Sequence, residues 1–261
     1  MMNDKTKFLG LQKGIVYGPI FSRRLGRDLG INLLSSRVKV CNFDCVYCQY
    51  GPSNTHTFQL LNSLIPDSQA ILEDILAILK KPYSLDHITF SGNGEPTLHP
   101  EILFIVKEVI KLRDKYKPGI PIAILSNGSN LSRSDVFEAV QLIDKPIFKL
   151  DAGNSKTFLR VNRGARNVDF FTLISNYQRI KSIILQTALF SGEFGNIRED
   201  EIKSLARTIA LINPIAVQLY TIERSYDPKL ITPITLSDLQ NYASQLEDLS
   251  GVKITAYVYS G

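Results

Sequence analysis

The residues best placed to do chemistry are three cysteines confined to eight positions, Cys41-Asn-Phe-Asp-Cys45-Val-Tyr-Cys48. They are the only cysteines in 261 residues. An odd, tightly spaced set argues against a disulfide framework and for a metal site. Three thiolates on one short loop reach three corners of an iron–sulfur cubane and leave one iron without a protein ligand. A small molecule can take such an iron. The competing reading is a zinc site completed by His56, although structural zinc usually draws on two separated ligand pairs. Tyr47, just before the last cysteine, suits packing on a planar base; otherwise it covers the cluster from water.

A second segment, Ser91-Gly92-Asn93-Gly94-Glu95-Pro96-Thr97, directly follows an apolar strand. Glycines let the backbone approach a ligand closely, and strand-end carbonyls and a carboxylate suit an ammonium group. Ser126-Asn127-Gly128 ends the next strand, and both side chains either face a ligand or close the turn. Arg160, Arg163 and Arg166 can grip a carboxylate or phosphate, or are scattered surface charges. His87 and His99 read as structural or exposed.

These residues must be positioned by an alternation of strand and helix. Helical spacing marks 68–80, 101–112, 134–142, 169–180, 199–211 and 236–249, with Asp67 or Ser68 as a cap for the first. Short runs rich in Ile, Leu and Val mark strands at 87–91, 121–125, 147–150, 182–189, 215–222 and 252–259. Such a rhythm means parallel strands joined by right-handed crossovers, buried on both faces. A doubly wound open sheet also fits. What favours an α/β partial (β/α)6 TIM-like barrel is the line of polar residues at successive strand ends: Ser91, Ser126, Asn127, Asp151, Gln186, Thr187 and Thr221. We expect one domain over 1–261, with a basic leader at 1–35, a barrel core at 36–225 and a C-terminal extension at 226–261.

Composition fits an ordinary globular chain, with 44% hydrophobic and 21% charged residues. Residues 1–7 are polar and lack the apolar run of a signal peptide, and no stretch of about 18 apolar residues could span a membrane, so the expected location is the cytoplasm. Net charge is +5, and residues 1–50 alone hold eight Lys/Arg against three Asp. A basic face there can meet nucleic acid, an acidic protein or an anionic cofactor.

The cysteine motif with its aromatic, followed about 45 residues and one βα unit later by Gly92–Glu95, resembles the radical S-adenosylmethionine (SAM) superfamily. Asn93 stands where the commonest family form has glycine. The leader from Gly18 to Gly30, with Lys149-Leu-Asp-Ala-Gly and Asn162-Arg-Gly, is similar to small members grouped with the tRNA wyosine-synthase core. That likeness covers nearly the whole chain but departs in one respect, since those synthases carry further cysteines for a second cluster. The resemblance implies a 4Fe-4S cluster on Cys41, Cys45 and Cys48. It also implies SAM held by Tyr47, Gly92, Asn93, Gly94, Glu95, Ser126, Asn127 and Asp151. Asp151 would meet the ribose or carboxylate of SAM, an acidic group being suited to a ribose diol; alternatively it caps a helix or loop.

In the family, one electron passes to the SAM sulfonium, giving methionine and a 5′-deoxyadenosyl radical that removes hydrogen from a substrate. No acid–base pair is required. Implied partners are a flavodoxin or ferredoxin as electron donor and a substrate such as tRNA, a protein or a small molecule. A glycyl-radical-enzyme activase also fits a compact, single-cluster chain. The alternative of another class is a non-catalytic zinc-binding nucleic-acid or structural protein.

Overall fold

The computed structural model describes residues 8–53, 64–223, 227 and 229–257. His56 lies outside them, as do residues 258–259 of the last expected strand. The chain divides into two compact units, one of Leu11–Asn42 and Ser53–Ile147, the other of Met1–Gly10, Phe43–Pro52 and Phe148–Gly261.

In the first unit, strands β1 (Val16–Ser22), β2 (Gly26–Ile31), β3 (His87–Phe90) and β4 (Ile122–Ser126) pair in that order. β1 and β2 form an antiparallel hairpin, whereas β2, β3 and β4 run parallel, with Ile31 beside Phe90 and Phe90 beside Ile124. The C-terminal ends of these three strands therefore collect along one edge. The hairpin turn lies at the opposite edge, where Asp28 pairs with His87 and Arg27 meets Asp86 at 3.2 Å. Helices α1 (Ser68–Leu79), α2 (Ile102–Tyr116) and α3 (Ser134–Gln141) accompany the sheet. Asp67 caps α1 by accepting from the N–H groups of Gln69 and Ala70 at 2.9 and 3.2 Å, which sets its start where the sequence indicates. Leu29, Ile31, Ile71, Ile75, Ile88, Ile102, Ile105 and Val106 have no exposed surface, so the core takes the apolar stripe of each helix and the strands.

β5 (Lys145–Lys149) carries the chain from the first unit into the second. There β6 (Ile184–Ser191), β7 (Ala216–Thr221) and β9 (Ile254–Tyr257) run parallel in that order, and the short β8 (Thr232–Pro233) pairs antiparallel with the end of β6. The helices are α4 (Ser155–Val161), α5 (Phe170–Gln178), α6 (Glu199–Ile212) and α7 (Leu236–Ser250). Asn154, Asp169 and Thr235 cap α4, α5 and α7 through their side chains.

The expected strand–helix alternation is present, with ends displaced by a few residues. Three features are additional: the β1–β2 hairpin occupies the expected basic leader, α4 runs into the arginine-rich segment at Arg160, and the short β8 pairs with the end of β6. No helix among the described residues is long and apolar enough to cross a membrane.

Candidate functional site: two carboxylates, two asparagines and the cysteine loop

In the first unit the site is built where β3 and β4 end. The Gly92–Glu95 segment turns back along the chain before the cysteines: Val40 N donates to Asn93 O at 2.9 Å and Glu95 N to Val40 O at 3.0 Å. This approach requires glycine at 94, since a Cβ there would lie 1.6 Å from Val40 O, and its φ is +154°. The Asn93 side chain is fully buried. Its Nδ2 donates to Gln12 O at 2.8 Å and Ser35 O at 3.0 Å, and its Oδ1 accepts from Gln12 N at 2.7 Å. The residue that departs from the family's commonest form is thus a peg fastening this loop to the leader.

Glu95 is also buried, and its carboxylate is already surrounded by donors. Oε1 accepts from Thr97 N at 3.1 Å, Thr97 Oγ1 at 2.6 Å and Ser126 Oγ at 2.7 Å, while Oε2 accepts from Asn127 N at 2.7 Å. Burial pushes its pKa above the ordinary value, and the four hydrogen bonds pull it back in part. Glu95 thereby ties the β3 loop to the β4 loop. Ser126 and Asn127 close their own turn, with Gly128 N donating to Ser126 Oγ at 3.0 Å and Ser129 N to Asn127 Oδ1 at 3.0 Å. Asn127 Nδ2 donates to Asn42 Oδ1 at 2.8 Å and lies 3.9 Å from Cys41 Sγ.

In the second unit the loop from Phe43 to Cys48 is held by α4. Asp44 N donates to Asn162 O at 3.2 Å and Val46 N to Val161 O at 2.9 Å, and Phe43 meets Phe158 edge to face at 5.4 Å. Cys48 N donates to Cys45 O at 3.0 Å, a turn that presents both thiols within four residues. Val46 enters an apolar cluster with Val161, Ala188, Phe190, Ile222 and Ile231.

Asp151, whose side chain is fully buried, organises this half. Its Oδ1 accepts from Ala188 N at 2.8 Å and lies 3.3 Å from Lys149 Nζ. Its Oδ2 accepts from the Tyr47 hydroxyl and from Asn162 Nδ2, the latter at 2.7 Å. The Tyr47 ring packs on Phe190 at 5.5 Å, and burial together with the Asp151 charge raises its pKa well above the usual range. Lys149 Nζ donates to the Tyr220 hydroxyl at 2.5 Å and sits 5.0 and 4.7 Å from the Tyr47 and Tyr220 ring centroids. Burial alone would lower the Lys149 pKa; Asp151 and Tyr220 more than offset it and keep the amine protonated. Gln186 and Gln218 are register partners on β6 and β7, and Gln186 Nε2 and Gln218 Oε1 are buried without a protein partner.

Sequence reasoning missed Asn162, Lys149 and Tyr220. Asn162 sits at the C-terminal end of α4, the helix that the arginines concealed. Arg160 is structural, donating to Glu201 and, at 2.7 Å, to Gly195 O, and Arg163 stacks on Phe194 at 4.9 Å. His87 and His99 bond to the carbonyls of Leu25 and Pro66 at 2.6 and 3.2 Å.

None of the three cysteines forms a disulfide, and each is partly exposed. Burial, then the charge of Asp151, pushes the Cys45 thiol up to about 12; a metal ion bound to the sulfur would favour the thiolate and release the proton to solvent. A set of thiols alone, with an amide N–H 3.6 Å from Cys45 Sγ, is the donor chemistry of an iron–sulfur cluster.

A sequence profile of the radical SAM superfamily matches residues 36–208, and the chain belongs to that family. It is a radical SAM enzyme, of a family that works with a 4Fe-4S cluster and SAM. Curated relatives include a UPF0026 protein of Methanocaldococcus jannaschii, 32% identical over 84% of this chain and 67% of its own length. A UPF0026 protein of Helicobacter pylori is 31% identical over 80% and 67%. A Brachyspira hyodysenteriae protein named GTPase Obg is 29% identical over 86% of this chain, which spans only 32% of that protein. Among solved structures, TYW1 with a lysine–pyruvate adduct superposes with a TM-score of 0.63 at 16% identity, covering 95% of this chain and 78% of that one. A radical SAM methyltransferase from Sphaerobacter thermophilus gives 0.65 at 14% identity, covering 90% and 67%. The fold is the partial β/α barrel of these enzymes.

Proposed function

We propose that this chain cleaves SAM reductively, with Cys41, Cys45 and Cys48 as the cluster ligands and a flavodoxin or ferredoxin as the electron source. Held by these cysteines, a 4Fe-4S cluster would supply the one-electron reduction that splits the SAM sulfonium into methionine and a 5′-deoxyadenosyl radical able to take hydrogen from a substrate. The protein's own residues position and shield. The backbone at Gly92 and Gly94 offers a close approach to the amino end of SAM, and Asn93 and Glu95 hold that backbone still. Asp151 fixes Tyr47, whose ring, backed by Phe190, keeps water from the loop. Gln186 and Gln218, each with a buried polar atom lacking a protein partner, suit a substrate that offers both a donor and an acceptor.

The observation that carries this reading is three cysteines outside any disulfide at C-x3-C-x2-C spacing, with a side-chain amide directed at Cys45 Sγ. Anaerobic reconstitution with iron and sulfide, then dithionite and SAM, should yield 5′-deoxyadenosine and methionine. Cys41→Ala, Cys45→Ala and Cys48→Ala should each abolish the products. Full yield from any of them, or zinc instead of iron in anaerobically isolated protein, would remove the proposal.

A further inference from the structure

We infer that Asn162 tunes the reduction potential of the cluster, through an N–H···S hydrogen bond to Cys45 whose direction Asp151 fixes. The inference rests on the proposed cluster site. A primary amide has two N–H bonds about 120° apart on one nitrogen. At Asn162 Nδ2 one points to Asp151 Oδ2 at 2.7 Å, and the other has Cys45 Sγ at 3.6 Å. The amide cannot turn freely to other acceptors. Asn162 is 2% exposed, and its backbone N–H donates to Phe158 O at 2.8 Å at the end of α4. Asp151 is itself held by Ala188 N, Tyr47 and Lys149. The arrangement is the outer-shell pattern in which a carboxylate orients the group that touches a metal ligand.

The electrostatic consequence has a definite sign. One-electron reduction adds negative charge that is shared by the cluster sulfurs and the thiolates. An N–H dipole aimed at a thiolate stabilises the reduced state more than the oxidised one, so the cluster is easier to reduce with the hydrogen bond than without it. The equivalent contact in the first unit is weaker. Asn127 Nδ2 is 3.9 Å from Cys41 Sγ and has Asn42 Oδ1 at 2.8 Å as a better acceptor. Asn162 is therefore the stronger of the two, and both are positioning residues that act through the cysteines.

The test is an EPR-monitored redox titration of the reconstituted full chain without SAM, on wild type, Asn162→Ala, Asn162→Met and Asn127→Ala. Asn162→Met fills the volume without a donor. Both Asn162 variants should keep wild-type iron content and SAM affinity and shift the midpoint potential to more negative values; Asn127→Ala should shift it less. An unmoved potential at full iron content would overturn the inference. So would loss of iron from both Asn162 variants, which would make the residue a structural support. If the wild type holds no cluster, the proposed function itself falls; if it holds one and cleaves SAM but the potential does not move, only this inference falls.

Discussion

Glu95→Ala separates two roles for the carboxylate that follows the glycine loop. As a partner for the SAM ammonium, Glu95 would need free oxygen lone pairs, yet its oxygens accept from Thr97 N, Thr97 Oγ1, Ser126 Oγ and Asn127 N at 2.6–3.1 Å. Truncation leaves four donors facing a buried gap. Hydrogen bonds to a charged group contribute about 1.5–3 kcal/mol each, but the two hydroxyls can rotate to other acceptors and water can enter. The two backbone N–H groups cannot move. The expected loss is about 3–5 kcal/mol, the range for breaking a buried polar network. For a chain of this size that lowers Tm by about 10 °C, at roughly 2–4 °C per kcal/mol. Thermal unfolding by circular dichroism under anaerobic conditions measures it, and equilibrium dialysis of SAM against Glu95→Gln supplies the second reading. A strut predicts a large loss of stability in Glu95→Ala, with SAM affinity in Glu95→Gln falling only as far as stability does. A change below about 1 kcal/mol in Glu95→Ala, together with weakened SAM binding at unchanged Tm in Glu95→Gln, would refute the reasoning.

Burial raises the Asp28 carboxyl from 3.8 to about 6, partly offset by Thr89 Oγ1 at 2.5 Å and by the neighbouring His87. The folded state therefore binds the extra proton, and stability should fall as pH rises from about 4 to about 6, by up to about 3 kcal/mol. Asp28→Asn should flatten that segment of a urea-midpoint profile and stabilise the chain at pH 7; an unchanged profile would place the charge outside the core. Arg23, Arg24 and Arg27 lie at or beside the hairpin turn, at the edge opposite the ends of β2 and β3, five residues or about 16 Å of strand away. Replacing all three with alanine should leave turnover unchanged with both flavodoxin and dithionite, and selective loss with flavodoxin would place the donor at the hairpin.

Much of this was legible in the sequence because periodicity and spacing are local. The apolar stripes of α1, α2 and α6, the Asp67 cap and the βα rhythm need only neighbours within a turn or two. The cysteine and glycine segments stand out in the sequence for the same reason. What stayed hidden depends on pairing at long range. The hairpin was read as a leader because Arg23, Arg24 and Arg27 dominate its composition, although two runs separated by three residues before Gly26 were the available signal. The register of β2 against β1 and β3 places those arginines at the edge opposite the C-terminal strand ends. Whether Glu95 and Asp151 present free oxygens or occupied ones could not be read from their identity. Ser126, which donates to Glu95, and Ala188, which donates to Asp151, lie 31 and 37 residues away. Asn162 had no signal except Asn-Arg-Gly after a helical run, a helix end whose Arg163 adopts φ +46°.

The buried Asn93 side chain changes how the loop would meet a ligand. A glycine there would leave three consecutive positions with wide backbone freedom, and ordering them on binding would cost about 1–2 kcal/mol per residue. Asn93 does that ordering during folding, through Gln12 and Ser35, while Asn32 Oδ1 accepts from its backbone N–H at 3.1 Å. Gly92 and Gly94 keep their left-handed φ values of +135° and +154° on either side of a fixed point. Preorganisation of this kind shifts the entropy cost from association to folding, so a ligand arriving at the strand ends meets a rigid lip and loses less of its contact energy to shaping it.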